Sequence, residues 1–287
     1  MSAREEVLRI GPSRALVGVA TRPEAHSGKG TGVVLLNAGL VHHVGPARLW
    51  VQAARRLADR GFPALRLDFS GIGDSPDSES TLRFESRAPK EARAAMDALG
   101  ELTGAARFVL IGLCSGAEIA FKTALEDSRV SAVVLVNAPR FLEEPDAGLV
   151  ARLERRQAAR YYWSVALRNP RSWLKILRGR ADLGSVARAL WTRIARSGAP
   201  REPSQESPDA RAFRELRGRG VALHLVLSEG DWAEDYLAAI LGPSALQGDS
   251  GLGLVVASVP AADHLLTPLR AQETLLDTLD RWSANWG

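Results

Sequence analysis

Short apolar runs separated by amphipathic stretches set the rhythm of this chain. Residues 33–37, 64–69, 108–112, 130–137, 221–228 and 254–259 are five- to eight-residue segments dominated by Val, Leu, Ile and Phe, the pattern of strands buried on both faces. Two further short runs, 7–10 and 15–20, flank a Gly11-Pro12-Ser13 turn and read as opening strands. Between the runs the apolar positions recur at helical spacing. Pro46 opens a helix that Gly61 ends, the usual Pro-first, Gly-last asymmetry. Further helices are predicted over 89–102, 115–125, 209–218 with Asp209 as cap, 232–241 and 267–282. Strand alternating with helix predicts an α/β architecture: a mostly parallel central sheet with helices on both faces. No internal repeat interrupts it.

The alternation breaks once. Residues 140–208 show no strand-like pattern and read as helices over 149–163, 171–178 and 183–197, followed by a Pro-rich connector over 198–208. This stretch carries Tyr161, Tyr162, Trp163, Trp173 and Trp191. Its charge also sets it apart. Residues 151–200 hold eleven Arg and one Lys against Glu154 and Asp182, a balance of +10, which leaves −6 for the rest of a chain whose total is +4. The expected organisation is therefore a core made of 1–139 and 209–287, with 140–208 inserted as a helical, Arg-rich lid.

Composition narrows the class without naming a chemistry. With 46% hydrophobic and 24% charged residues, the chain is predicted to be globular with a sizeable core. A single cysteine rules out an internal disulfide, the N-terminus lacks the apolar segment of a signal peptide, and no apolar run approaches the roughly 18 residues of a membrane span. A cytoplasmic location is the expectation. The His and Cys residues are scattered without metal-ligand spacing, and no Gly-rich dinucleotide fingerprint occurs, so neither a metal nor an organic cofactor is expected.

Chemistry concentrates at Gly112-Leu113-Cys114-Ser115-Gly116. A G-x-nucleophile-x-G pentapeptide directly after a strand and opening a helix is a nucleophile elbow: the turn strains the central residue and the glycines let neighbouring backbone pass closely. The helix N-terminus beneath favours a thiolate at Cys114. Ser115 is the rival nucleophile, but centring the motif on it would put the bulky Leu113 at a position that demands a small residue. Two partners follow in chain order. Asp231 lies just past the strand at 221–228 and His264 in the loop after the strand at 254–259, so His264 is the expected base and Asp231 its orienting acid. Glu229, Glu234 and Asp235 compete with Asp231, and Asp263 reads as a loop cap.

An oxyanion needs two N–H donors. Ser115, asked only for its backbone N–H, supplies one. Gly39, in the loop after the strand at 33–37, is expected to supply the other, with Leu40 as the neighbouring alternative. Leu40, His42 and His43 are candidates for substrate contact, against the competing reading of His42 and His43 as surface-loop histidines. The loop from Asp68 to Ser75 is turn-rich, and without a following Gly-Lys-Ser it does not read as a phosphate cradle.

The segments LLNAGLVHHVGP, LRLDFSGIGDS, GLCSGA, SEGD and ADH together resemble the α/β-hydrolase superfamily over about 30–140 and 210–287. More narrowly, the Asn-Ala-Gly loop and the Cys elbow are similar to small bacterial hydrolases associated with exosortase systems, and the cysteine to dienelactone hydrolases. The resemblance implies an α/β-hydrolase fold with Cys114, Asp231 and His264 as catalytic triad and the backbone N–H groups of Gly39 and Ser115 as oxyanion hole. Asn37 departs from the pattern, where most members carry His, and Cys114 departs where most carry Ser. The expected function is acyl transfer through a Cys114 thioester, with hydrolysis of an ester or thioester as the first reading. Transfer to an amine, thiol or alcohol is the second, and a non-catalytic binding protein the third. The expected partners are a small acyl substrate and an acidic acyl carrier protein docking on the basic lid, with solvated helix faces as the competing reading of that charge. Nucleic acid has no place in the scheme.

Overall fold

A computed structural model of the chain describes residues 3–24, 30–142, 207–247 and 253–286. The lid expected over 140–208, with its predicted helices, its aromatic residues and its arginines, lies outside the described residues from 143 to 206.

The apolar runs form one eight-stranded sheet. In chain order the strands are β1 (Arg4–Ile10), β2 (Leu16–Arg22), β3 (Thr31–Leu36), β4 (Ala64–Asp68), β5 (Arg107–Leu113), β6 (Val130–Val136), β7 (Ala222–Ser228) and β8 (Leu254–Val259). They lie side by side as β1-β2-β4-β3-β5-β6-β7-β8. Strand β2 is antiparallel to both β1 and β4, and every pairing from β4 through β3 to β8 is parallel. This is the α/β-hydrolase fold.

Parallel strands need crossovers, and the helices supply them: α1 (Leu49–Asp59), α2 (Phe84–Thr103), α3 (Ser115–Glu126), α4 (Pro208–Gly218), α5 (Trp232–Leu241) and α6 (Leu269–Ser283). Because successive side chains in a strand point to opposite faces, Val33, Leu35, Val109, Ile111, Val134 and Val136 share one side of the sheet. There α1 and α6 cover them with Leu49, Trp50, Leu57, Leu275 and Leu279. The alternate residues Val34, Leu36, Leu110, Val133 and Leu135 are equally buried on the other face. The chain end closes the first core, where Trp286 packs edge-on against Phe62 with centroids 6.1 Å apart and its carbonyl accepts from the Thr31 hydroxyl at 3.0 Å.

Two helix starts differ from expectation. Pro46 opens only a 3-10 turn, Pro46–Arg48, because Ala47 and Arg48 adopt positive φ (42° and 66°), and the α-helix begins at Leu49. Helix α2 starts five residues earlier than Pro89, at Phe84, with the proline inside it. The ring there forfeits the single bond its N–H would have made to the Glu85 carbonyl. No helix among the described residues is long and apolar enough to cross a membrane.

Candidate active site

Parallel strands deliver their C-terminal ends to one rim of the sheet, and ligands bind at that rim in open α/β sheets. Here the ends of β3, β5, β6, β7 and β8 carry the chemistry. Strand β5 is buried up to Leu113, and Cys114 still donates its amide to the Val136 carbonyl of β6 at 2.9 Å before the chain turns into α3. The turn holds Cys114 at φ 54°, ψ −120°. Such a conformation costs a non-glycine residue of order 1–3 kcal/mol and persists because its surroundings enforce it. The enforcement is visible at the flanking glycines. A Cβ on Gly112 would lie 2.1 Å from the Gly116 carbonyl oxygen, and one on Gly116 would lie 2.4 Å from that of Leu36. The helix thus starts directly under the half-buried thiol.

The structure brings Asp231 and His264 to this thiol. Asp231 caps α5: its Oδ1 accepts the Ala233 amide at 2.9 Å, which leaves Oδ2 for the His264 Nδ1 at 2.8 Å. Both carboxylate oxygens of a nearly buried group are therefore engaged. Of the four acids in this stretch, Asp231 is the one bonded to the imidazole. The His264 pKa is raised from 6.5 to about 10, first by the Asp231 hydrogen bond and next by one with Cys114, against the opposing effect of burial. The imidazole is thus held directly by the Asp231 carboxylate and also feels the Cys114 thiol. Asp263 serves as the loop cap, accepting from the Thr267 amide at 2.7 Å and from its hydroxyl.

Sequence reasoning missed Asn137. Fully buried at the end of β6 with φ 47°, it donates from Nδ2 to the Ser228 hydroxyl and to the His264 carbonyl, each at 2.8 Å. Its Oδ1 accepts the Ser228 amide at 2.8 Å, and the Ser228 hydroxyl donates to the Asp263 carbonyl at 2.9 Å. This amide ties the ends of β6 and β7 to the histidine loop. The available signal was a polar residue closing the run Val-Val-Leu-Val at 133–136, level with the polar end of the run at 221–228.

The loop after β3 lies over the other side of the elbow. Gly39, at φ 47°, donates its amide to the Ser115 hydroxyl oxygen at 2.7 Å. The donor expected to face an oxyanion is thus bonded to a side chain that was expected to contribute only backbone. Asn37, one turn of chain earlier, is buried with neither amide atom partnered among the described residues.

The remaining candidates separate. Leu40 is 88% exposed and lines a cleft of about 440 Å³ with Gly39, Ile72, Phe84, Ser115 and Ile119. On the α3 wall of that cleft, buried Glu118 holds Lys122 at 2.6 Å and Arg140 at 2.7 Å. His43 is committed elsewhere: its amide and Nδ1 both meet the Asp68 carboxylate, at 2.5 and 2.7 Å, and His42 stands edge-on to it with centroids 5.4 Å apart. His43 is therefore a brace for its loop. Asp68 also accepts the Asp74 amide at 3.0 Å. Burial works against the Asp68 charge, yet the His43 bond and the Asp74 amide hold its pKa below the ordinary value. His43, Asp68 and Asp74 bring ligand-type atoms within 4.8 Å of one another, but a carboxylate already taking backbone and ring donors is organised as a loop clasp. It also fixes the turn that starts at the end of β4.

Comparison with known proteins agrees with this architecture. The family described as alpha/beta hydrolase fold matches residues 32–194, and the chain belongs to that family. Among solved structures, a putative hydrolase from Agrobacterium vitis is similar with TM-score 0.57 at 18% identity, covering 98% of this chain and 99% of that one. The dienelactone hydrolase from Anabaena variabilis gives 0.56 at 15%, with 99% and 98% covered. An alpha-beta serine hydrolase homologue from Coxiella burnetii gives 0.54 at 15%, with 98% and 97% covered. At such identities the likeness is one of fold. No functionally curated protein matches the chain.

Proposed function

We propose that this protein is a cysteine-nucleophile acyl-transfer enzyme that hydrolyses an ester or thioester. The observation that carries the reading is the meeting of a strained elbow cysteine with a histidine that a buried carboxylate holds by its other nitrogen. The hydrolase names of similarly folded proteins favour the same class. In this scheme His264 already holds the Cys114 proton when Sγ attacks the substrate carbonyl. The carbonyl π pair moves to oxygen, the bond to the leaving group breaks as that pair returns, and the leaving group receives the proton from His264. Water then attacks the thioester, giving its proton to His264, and the Cys114 thiolate leaves and is reprotonated. Asp231 keeps the imidazole oriented through both halves and stabilises its charged form.

Cys114 itself favours a second reading in which an amine, thiol or alcohol replaces water, since a thioester is aminolysed more readily than an oxygen ester. An acidic acyl carrier protein is the donor proposed for either reading, because it would meet the net +10 of residues 151–200 and deliver a thioester. A cytoplasmic setting suits both. The experiment is a panel of ester and thioester substrates read by intact-protein mass. An acyl mass that appears and then decays in water supports hydrolysis, decay only on adding an amine or thiol supports transfer, and no adduct with any member of the panel rejects both.

A further inference from the structure

We infer that the Ser115 hydroxyl is itself an oxyanion donor, so that one residue supplies both hydrogen bonds of the hole and Gly39 acts through it. The inference rests on the acyl-transfer reading above. In a nucleophile elbow the negative oxygen forms between the amide of the residue after the nucleophile and the loop that follows β3. The Ser115 hydroxyl lies between these walls, accepting the Gly39 N–H at 2.7 Å. A hydroxyl has one proton to give. Its oxygen is taken by Gly39, and among the described residues its proton has no acceptor. Gly39 and Ser115 both line the cleft, and a Cβ at Gly39 would meet nothing within 4 Å, so the pair borders open space where a substrate carbonyl can approach. Accepting from an amide also polarises the hydroxyl and makes it a stronger donor.

The alternative is that the hydroxyl only plugs the hole, to be displaced when the oxyanion takes the Gly39 N–H directly. The two arrangements predict opposite signs. If the hydroxyl donates, Ser115→Ala loses a hydrogen bond made to the tetrahedral intermediate. If it plugs, Ser115→Ala frees Gly39 and acylation is as fast or faster. The step itself is unchanged in its atoms: Sγ bonds to carbon, the π pair moves to oxygen, and the Ser115 proton is shared with that oxygen but not transferred.

The test compares two reactions of the same sulfur. Acylation by p-nitrophenyl acetate builds an oxyanion, whereas alkylation by iodoacetamide displaces iodide without one. The expected result is that Ser115→Ala slows acylation about a hundredfold, the usual effect of removing one such donor. Alkylation of Cys114 should stay within about twofold, because the sulfur, its histidine and the helix beneath it are kept. Ser115→Thr, which retains the hydroxyl, should recover most of the acylation rate. Unchanged or faster acylation in Ser115→Ala overturns the inference and leaves the acyl-transfer reading standing. Equal losses in both reactions also overturn it, because they assign the hydroxyl to holding the elbow. A wild-type protein that is alkylated at Cys114 yet never acylated removes the inference together with the reading beneath it.

Discussion

The Asn137 side-chain amide donates to the carbonyl oxygen of His264 at 2.8 Å, which couples the end of β6 to a histidine 127 residues later in the chain. The same amide accepts from Ser228, so its loss strands several buried groups at once. An unsatisfied buried group costs about 1–3 kcal/mol. Asn137→Gly is the informative variant, since glycine tolerates the positive φ and deletes only the amide. We expect it to lower unfolding free energy by that amount and to slow iodoacetamide labelling of Cys114 at least about tenfold, because His264 loses its support. Wild-type labelling in a destabilised protein would confine Asn137 to folding.

The partner of His264 is tested by contrasting two neighbouring acids. Asp231→Asn keeps the size of the cap but removes the charge beside the imidazole. Turnover of any substrate found for the enzyme should fall at least about a hundredfold. Glu229→Gln, two residues away and exposed, should stay within about twofold. Comparable losses in both variants would mean that the bond from His264 to Asp231 does not define the working site.

The raised pKa of His264 has a consequence for stability with a definite sign. A group whose pKa is higher folded than unfolded contributes stability in full below its unfolded value and loses it as pH climbs through its folded value. For His264 the window runs from 6.5 to about 10, set mainly by Asp231 and then by Cys114. Urea denaturation of wild type and His264→Gln at about pH 6 and about pH 10.5 should show a gap that is larger at the lower pH. A gap that stays constant or widens with pH contradicts the coupled Asp231–His264–Cys114 arrangement.

Much of this molecule was legible from its residues, for identifiable reasons. Two-faced burial makes β3, β5, β6 and β7 continuous apolar runs, and the elbow announces itself because Gly112 and Gly116 are sterically required. Asp231 and His264 could be nominated because chain order and strand ends constrain where partners fall. Their direct bond could not be read, and neither could the choice of Asp231 over three nearby acids, which depends on how α5 is capped. The Asn137 clamp was invisible because its partners lie far along the chain, in Ser228 at the end of β7 and in the His264 carbonyl. The bracing contact of His43 with Asp68 was not legible, since a loop histidine gives no sign of which carboxylate it meets. The bond from Gly39 to Ser115 was missed because the serine had been credited with its amide alone.

The central claim is that the acyl group is carried by Cys114. The most direct measurement is a rapid acid quench during reaction with an activated ester, followed by proteolysis and mass mapping of the elbow peptide. The account predicts an acyl mass on Cys114 in the wild type and no acylated elbow peptide in Cys114→Ala, with turnover abolished. An acyl group on Ser115, or a Cys114→Ala protein that still turns substrate over, would contradict it.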